Sequence, residues 1–305
     1  MKCLGSAFTR RSITPVLANS PNFRRITPGI ETLPSSFSLP RHRHLRAYAT
    51  VVLAGSFEES GYVGRIRATA GDVLIHPALD CHANPIVSAG VKLIRLDWSD
   101  TAGAGGLYRL DEVDTLARTA EKDVGDAALL LKHALRSRWP PPPGRRNDWP
   151  DLLAATLAQD ASTEIGAWAE TNGLARETVS RGFAAAYGIA PAAFRAELRT
   201  RTAWLRITQG SDSLCLIATE TGFADQAHMT RWIHRMTGAP PGAWRREYCD
   251  EGNGIPRPSL PFPLLAQTRR EQSGTRAPYR SQPTRMKINH FPEGNLGNVP
   301  PPITR

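Results

Sequence analysis

The feature that most constrains how this chain can fold is a helical pattern that occurs twice between Asp151 and Tyr248. Leu152, Leu153 and Leu157 form a first apolar stripe at helical spacing. Ser162 or Thr163 is placed to cap the next helix, which carries Ile165 and Trp168 and breaks at Asn172-Gly173-Leu174. Glycine there takes a positive φ without steric cost. A second helix follows from about Arg176 and turns Val179 and Phe183 inward at i and i+4. The arrangement then recurs. Leu214, Ile217 and Ala218 share one helix, Thr221-Gly222-Phe223 breaks it, and a further helix from about Asp225 holds Met229 and Ile233 inward. Gly222 lies 49 positions after Gly173, and each second helix is followed by Gly and then Pro, at Gly188 to Pro191 and Gly238 to Pro240. Between the units, Phe194 to Gln209 reads as one long helix bearing Leu198, Trp204, Leu205 and Ile207. Short helix, Gly-containing turn, helix is the pattern of a helix-turn-helix unit, and this chain has two.

The residues that fill this pattern are specific. Gly222-Phe223-Ala224-Asp225-Gln226-Ala227-His228-Met229-Thr230-Arg231-Trp232-Ile233-His234-Arg235, with Gly238, Pro240 and Trp244-Arg245 after it, resembles the DNA-binding domain of AraC/XylS-type transcription regulators. The resemblance implies that each second helix enters a major groove of double-stranded DNA and presents side chains to base edges. On the first helix those side chains are Arg176, Glu177, Ser180 and Arg181; on the second they are Gln226, Ala227, His228 and Arg231. Arg bridges guanine O6 and N7, and Gln bridges adenine N6 and N7. Glu177 either accepts from cytosine N4 or pairs with Arg181 one turn on. Arg181 and Arg231, equivalent in the two units, serve either base reading or intradomain ion pairs. Arg199, Arg201 and Arg206 suit phosphate contact or structural ion pairs. The chain departs from the family in having Ala175 and Ala224 where Ser usually caps the second helices, and Met229 and Ile233 in place of Phe.

Charge does not make this argument. The chain carries a net +10, but residues 151–248 contain ten Arg and ten acidic residues. The excess sits at the ends: eight basic groups against Glu31 in residues 1–50, and eight against four acids in residues 249–305. Base specificity must therefore rest on individual arginines. No run of about 18 apolar residues is present, so no membrane partner is expected. Cys3, Cys81, Cys215 and Cys249 are scattered without C-x-x-C spacing and read as free thiols of a cytoplasmic protein.

The remainder divides by composition. Residues 1–38 read as an irregular arm. Residues 39–100 read as short strands, with Tyr48 to Leu53 β-rich and Gly55 and Gly61 as breakers. Residues 107–139 take helical spacing, and their apolar faces are the expected surface of a homodimer. Residues 140–150, opened by four prolines, read as a linker, and residues 249–305 as a disordered tail. Pro40-Arg41-His42-Arg43-His44 with Tyr48, then Gly71-Asp72-Val73-Leu74-Ile75-His76-Pro77 with His82, is similar to the two short motifs of cupin barrels. In a strand His42, His44 and Tyr48 share one face, so with His82 they become candidates to line an effector pocket. Three imidazoles suit Zn, Fe or Ni. Tyr48 stands where metal-binding cupins carry Glu, so the expectation is a small-molecule effector with no metal and no cofactor. The expected fold class is α+β: a cupin-like barrel joined by helices to an all-α domain with two helix-turn-helix units. RNA polymerase is a further partner implied by the resemblance. The rival is a metal-dependent cupin enzyme, an oxygenase or isomerase, using His42, His44 and His82. A third reading, suggested by the neutral domain and Glu177, is an interaction scaffold that no longer reads DNA.

Overall fold

The computed structural model describes residues 23–84, 89–98, 105–135 and 148–249. The first 22 residues of the expected arm, the proline run and the expected tail beyond Cys249 lie outside these segments. Eight strands, all antiparallel, make the N-terminal half: β1 (Gly29–Leu33), β2 (Leu39–His44), β3 (Tyr48–Gly61), β4 (Gly64–Thr69), β5 (Asp72–His76), β6 (Asp80–Asn84), β7 (Ala89–Asp97) and β8 (Gly106–Arg109). One path runs β1-β7-β3-β5-β8; β4 and β6 pair with the far half of β3, and β2 pairs with β6. Two boundaries differ from expectation. β1 lies in the segment read as irregular, and β8 opens the stretch read as helical. Both are short and become strands only by pairing with β7 and β5.

Side-chain alternation explains the layering. Ala49 and Val51 of β3, Val73 and Ile75 of β5, and Ile94 and Leu96 of β7 point to one face. There they meet two helices, α1 (Val113–Lys122) and α2 (Val124–Leu135), through Leu116, Leu131 and Leu135. The apolar stripe expected to form a dimer surface is thus largely spent on the barrel's own sheet; on α2, Leu129 and Leu130 remain exposed. The intervening residues Val52, Leu74, Val91 and Leu93 face inward.

Gly55 does not break β3. It sits at a bulge with φ +77°, where the β3–β7 register shifts between Val52 and Ser56. A Cβ at this position would lie 2.1 Å from the Gly90 carbonyl oxygen, so only glycine fits. The register with β7 slips by one residue at Ala54 and returns by Ser56, and across this irregular stretch the inward-facing parity of β3 reverses. Before it, Tyr48 and Thr50 face the interior; after it, Phe57 and Glu59 do.

The C-terminal half is helical: α3 (Trp149–Gln159), α4 (Ile165–Thr171), α5 (Arg176–Tyr187), α6 (Pro191–Gln209), α7 (Leu214–Glu220), α8 (Gln226–Thr237) and α9 (Pro241–Cys249). The pairs α4–α5 and α7–α8 turn at Gly173 (φ +67°) and Gly222 (φ +77°), as the repeat requires. Val179 and Phe183 are buried in one core, Met229 and Ile233 in another. Capping differs from expectation. Glu164, not Ser162 or Thr163, caps α4, its carboxylate accepting from the Ala167 amide. Ala175 leaves α5 without a side-chain cap, whereas α8 is capped by Asp225, so Ala224 costs that helix nothing.

The second core is continuous with the barrel. Leu45, Ala78, Leu79 and Cys81 pack with Trp204, Ile207, Ile233 and Trp244 in a single cluster. All described residues fall within one compact unit.

Candidate functional site

On α5, Arg176, Glu177, Ser180 and Arg181 are all exposed, and on α8 so are Gln226, Ala227 and Arg231. Each set occupies the N-terminal part of its helix, opposite the buried pair that anchors it. His228 is half-buried; its Nε2 accepts a hydrogen bond from Trp232 Nε1 at 3.1 Å, which fixes its ring. The Glu177–Arg181 pair, one of the two roles offered for Glu177, does not form, and neither Arg181 nor Arg231 makes an ion pair among the described residues. Arg176 stands 3.6 Å from Glu170, both strongly exposed, which is worth little in water.

Of the two roles offered for Arg199, Arg201 and Arg206, the contacts they make are of the structural kind. Arg201 is buried and donates from Nε to the Ala78 carbonyl at 3.1 Å, which removes it from a DNA surface. Arg199 donates to the Ala161 and Gly222 carbonyls and so ties the approach to the first unit to the turn of the second. Arg206 pairs with Asp212 at 2.6 Å and Glu220 at 2.5 Å. Helix α6 is therefore a brace. In sequence its arginines fit either role, because nothing there reveals which carbonyls lie beside them.

The barrel encloses a cavity of about 400 Å³ whose lining includes His42, His44, Tyr48 and His82, together with Glu59. All four sequence candidates are brought together. His42 lies directly across the β2–β6 ladder from His82, and their ring centroids are 4.4 Å apart. Nδ1–H of His42 donates to the Pro40 carbonyl at 2.9 Å, and Nδ1–H of His44 donates to the Arg24 carbonyl at 2.8 Å. A carbonyl only accepts, so both rings are held in the tautomer that leaves Nε2 with a free lone pair. Burial, reinforced by the neighbouring His82, pushes His42 down to about 3 and His44 down to about 2, so both are neutral imidazoles at physiological pH. Burial likewise raises Tyr48 well above the usual phenol range and Glu59 to about 7.

Three members of this cluster escaped the sequence reading as site residues. Asp80 Oδ2 lies 3.2 Å from His76 Nδ1 and 3.3 Å from His82 Nδ1. Burial opposes its ionisation, yet the two imidazoles facing it hold it well below the ordinary carboxylate range. His76 stacks on Tyr48 with centroids 4.3 Å apart. Glu59 Oε2 approaches His82 Nε2 at 3.9 Å. Asp80 shares strand parity with His82 and was legible on that ground. Glu59 was not, because the bulge at Gly55 reverses the phase between it and Tyr48.

The outer face of β2 carries a second set of contacts. Arg41 donates to Glu197 Oε2 of α6 at 2.9 and 2.7 Å, and to the Tyr187 carbonyl, at the end of α5, at 3.4 Å. Arg43 lies 3.6 Å from Glu197 Oε1 and donates to the Met236 carbonyl, near the end of α8, at 2.9 Å. Arg65 of β4 pairs with Asp151 at 3.0 Å and with Asp148, and Tyr187 donates to the same Asp151 at 2.6 Å.

Two helix-turn-helix units braced by one helix, behind an antiparallel barrel, define the class: the chain is a DNA-binding transcription regulator. More particularly, residues 168–247 match the sequence model of a helix-turn-helix domain family, and this segment is an AraC-type DNA-binding domain. No curated protein matches the chain. Among solved structures it is similar to fatty-acid-bound ToxT from Vibrio cholerae, with 8% identity over 73% of this chain and 95% of that one, at a TM-score of 0.33. It is also similar to the C-terminal domain of AraT, a response regulator from Geobacillus stearothermophilus (16% identity, 33% and 87% covered, TM-score 0.31). A probable AraC family transcriptional regulator from Rhodopseudomonas palustris gives 19% identity over 31% of this chain and 93% of that one, at a TM-score of 0.29.

Proposed function

We propose that α5 and α8 read successive major-groove segments of an operator through Arg176, Glu177, Ser180 and Arg181 and through Gln226, Ala227, His228 and Arg231, and that a ligand in the barrel cavity modulates this binding. The observation that carries the reading is where the barrel touches the two helices. Arg41 and Arg43 hold backbone carbonyls at the C-terminal ends, Tyr187 and Met236, and the side chains nominated for base contact lie in the N-terminal halves, all but the half-buried His228 exposed. Strand β2 supports the regulatory part: its inner face carries His42 and His44 and its outer face carries Arg41 and Arg43. A ligand that displaces β2 on one side changes the hold on both units on the other, and it acts in proportion to its differential affinity for the two arrangements. A second copy of the chain, docked through the exposed Leu129 and Leu130 of α2, and RNA polymerase are the proposed protein partners.

The test is selection of bound sequences from a random DNA pool by the full chain at about 150 mM salt, where purely electrostatic binding is weak. The expected product is a motif with two elements about one helical turn apart. Arg231→Ala should then cost about 1–3 kcal/mol at one base position while leaving other positions unchanged. An equal loss on every sequence would mark Arg231 as a phosphate contact. Absence of any enriched motif would favour the scaffold reading, to which the formally neutral charge of the domain also points.

A further inference from the structure

We propose, on the reading that α8 enters a major groove, that Trp232 positions His228 for DNA recognition. By donating to Nε2, Trp232 leaves the imidazole a single hydrogen-bonding role, that of donor through Nδ1–H. His228 then meets an acceptor on the DNA, guanine N7 or O6 or a phosphate oxygen, and rejects a base edge that offers only a donor.

The two side chains stand one turn apart on α8, at i and i+4, and so share a face. Trp232 Nε1 lies 3.1 Å from His228 Nε2. An indole N–H only donates, so Nε2 carries the lone pair and the one proton of the neutral ring sits on Nδ1. A ring protonated on Nε2 would set N–H against N–H. The neighbours hold the pair in place. Phe223 meets the imidazole edge to face, with centroids 5.4 Å apart and planes at 88°. Arg235 lies over the indole, its guanidinium carbon 5.5 Å from the ring centre, where the ring face attracts a cation. Trp232 is itself half-buried against the core that holds Met229 and Ile233. Asp225 fixes the backbone beneath, accepting from the His228 amide at 2.6 Å.

Hydrogen-bond chemistry then decides what His228 recognises. An imidazole free to exchange its two tautomers presents either a donor or an acceptor, and so discriminates poorly. With Nε2 occupied it only donates. In the major groove guanine offers two acceptors, N7 and O6, whereas cytosine offers the N4 donor. Arg231, at i+3 from His228, is a donor as well, so this face of α8 is rich in donors and matches the acceptors of a guanine edge or of the backbone. The device belongs to the second unit alone. At the same places in α5, its third and seventh residues, stand Thr178 and Gly182, which carry neither imidazole nor indole.

The tautomer is read directly from long-range proton–nitrogen NMR spectra of the full chain in mildly alkaline buffer, with His228→Ala identifying the signals. The expected spectrum shows His228 protonated on Nδ1. In Trp232→Phe, which keeps an aromatic ring and loses the donor, it shows a mixture of tautomers. Affinity for the selected operator supplies the second readout. His228→Ala should weaken it about tenfold, and Trp232→Phe about three- to tenfold, the worth of one hydrogen bond. In the His228→Ala background, Trp232→Phe should cost nothing more. A loss confined to one base position, and repeated by 7-deazaguanine placed there, marks guanine as the acceptor; an equal loss on every sequence marks a phosphate oxygen. Either source supports a donor. Protonation on Nε2 in the wild type overturns the proposal. So does a Trp232→Phe loss that persists in His228→Ala, which would make Trp232 a contact or a packing residue in its own right. A His228→Ala chain that binds as tightly as wild type overturns it too. A chain that selects no operator loses the regulator reading, and this contact with it, whatever the tautomer.

Discussion

At the scale of single residues, the two helices proposed to face DNA are alike in their anchors and unlike in their caps. Asp225 Oδ1 accepts from the His228 amide at 2.6 Å, satisfying one of the unpaired donors at the start of α8 and orienting a residue proposed to read a base. Ala175 offers nothing equivalent to α5. Asp225→Ala should therefore destabilise the chain by about 0.5–2 kcal/mol, measured by urea denaturation, and a variant with an unchanged midpoint would show that water serves the cap equally well. The reading from sequence placed the cap one residue early, at Ala224, because a family pattern fixes a column of residues and not the backbone angles. The exposed set on both helices was legible for a simple reason: once Val179, Phe183, Met229 and Ile233 are inward, helical periodicity leaves little choice about what is outward.

At the scale of elements, β3 shows how one glycine redirects a strand. Its first half presents Tyr48 and Thr50 to the cavity and its second half presents Phe57 and Glu59, a reversal that regular alternation forbids. Gly55→Ala places a methyl group against the Gly90 carbonyl and forces a residue with φ +77° into an unfavourable region. Backbone strain of this kind costs about 1–3 kcal/mol before any loss of packing. The expected outcome is a lower urea midpoint. A variant as stable as wild type would mean that the strand relaxes around the methyl group. Strand β2 makes the complementary point without a bulge: strict alternation gives it an imidazole face and a guanidinium face, so one element belongs to both halves of the molecule.

At the scale of the whole molecule, the barrel and the helical domain share a core and a buried ionic joint. Arg41 and Glu197 have side-chain exposures of 8% and 5%, so this pair is dry, and Arg43 leans on the same carboxylate. Removing one member of such a joint leaves uncompensated charge in a low-dielectric site. Glu197→Gln should therefore cost about 3–5 kcal/mol of stability, far more than an exposed ion pair such as Arg176–Glu170. Urea denaturation of the full chain checks this, and a change below 1 kcal/mol would show that the two halves are held by the apolar cluster alone. Among the described residues no helix is long and apolar enough to cross a membrane.

By itself the sequence determined the repeated units, their turns, their inward anchors and the meeting of His42, His44, Tyr48 and His82. All of these follow from local periodicity and from residue types that the backbone demands. Only the tertiary structure decided which arginines stay exposed and which brace the fold, because a guanidinium is assigned by the carbonyls and carboxylates that other elements bring to it. It also decided that Glu59 joins the histidines and that Glu197 joins the two halves. Those are contacts between residues distant in the chain, set by a bulge and by packing that no local pattern encodes.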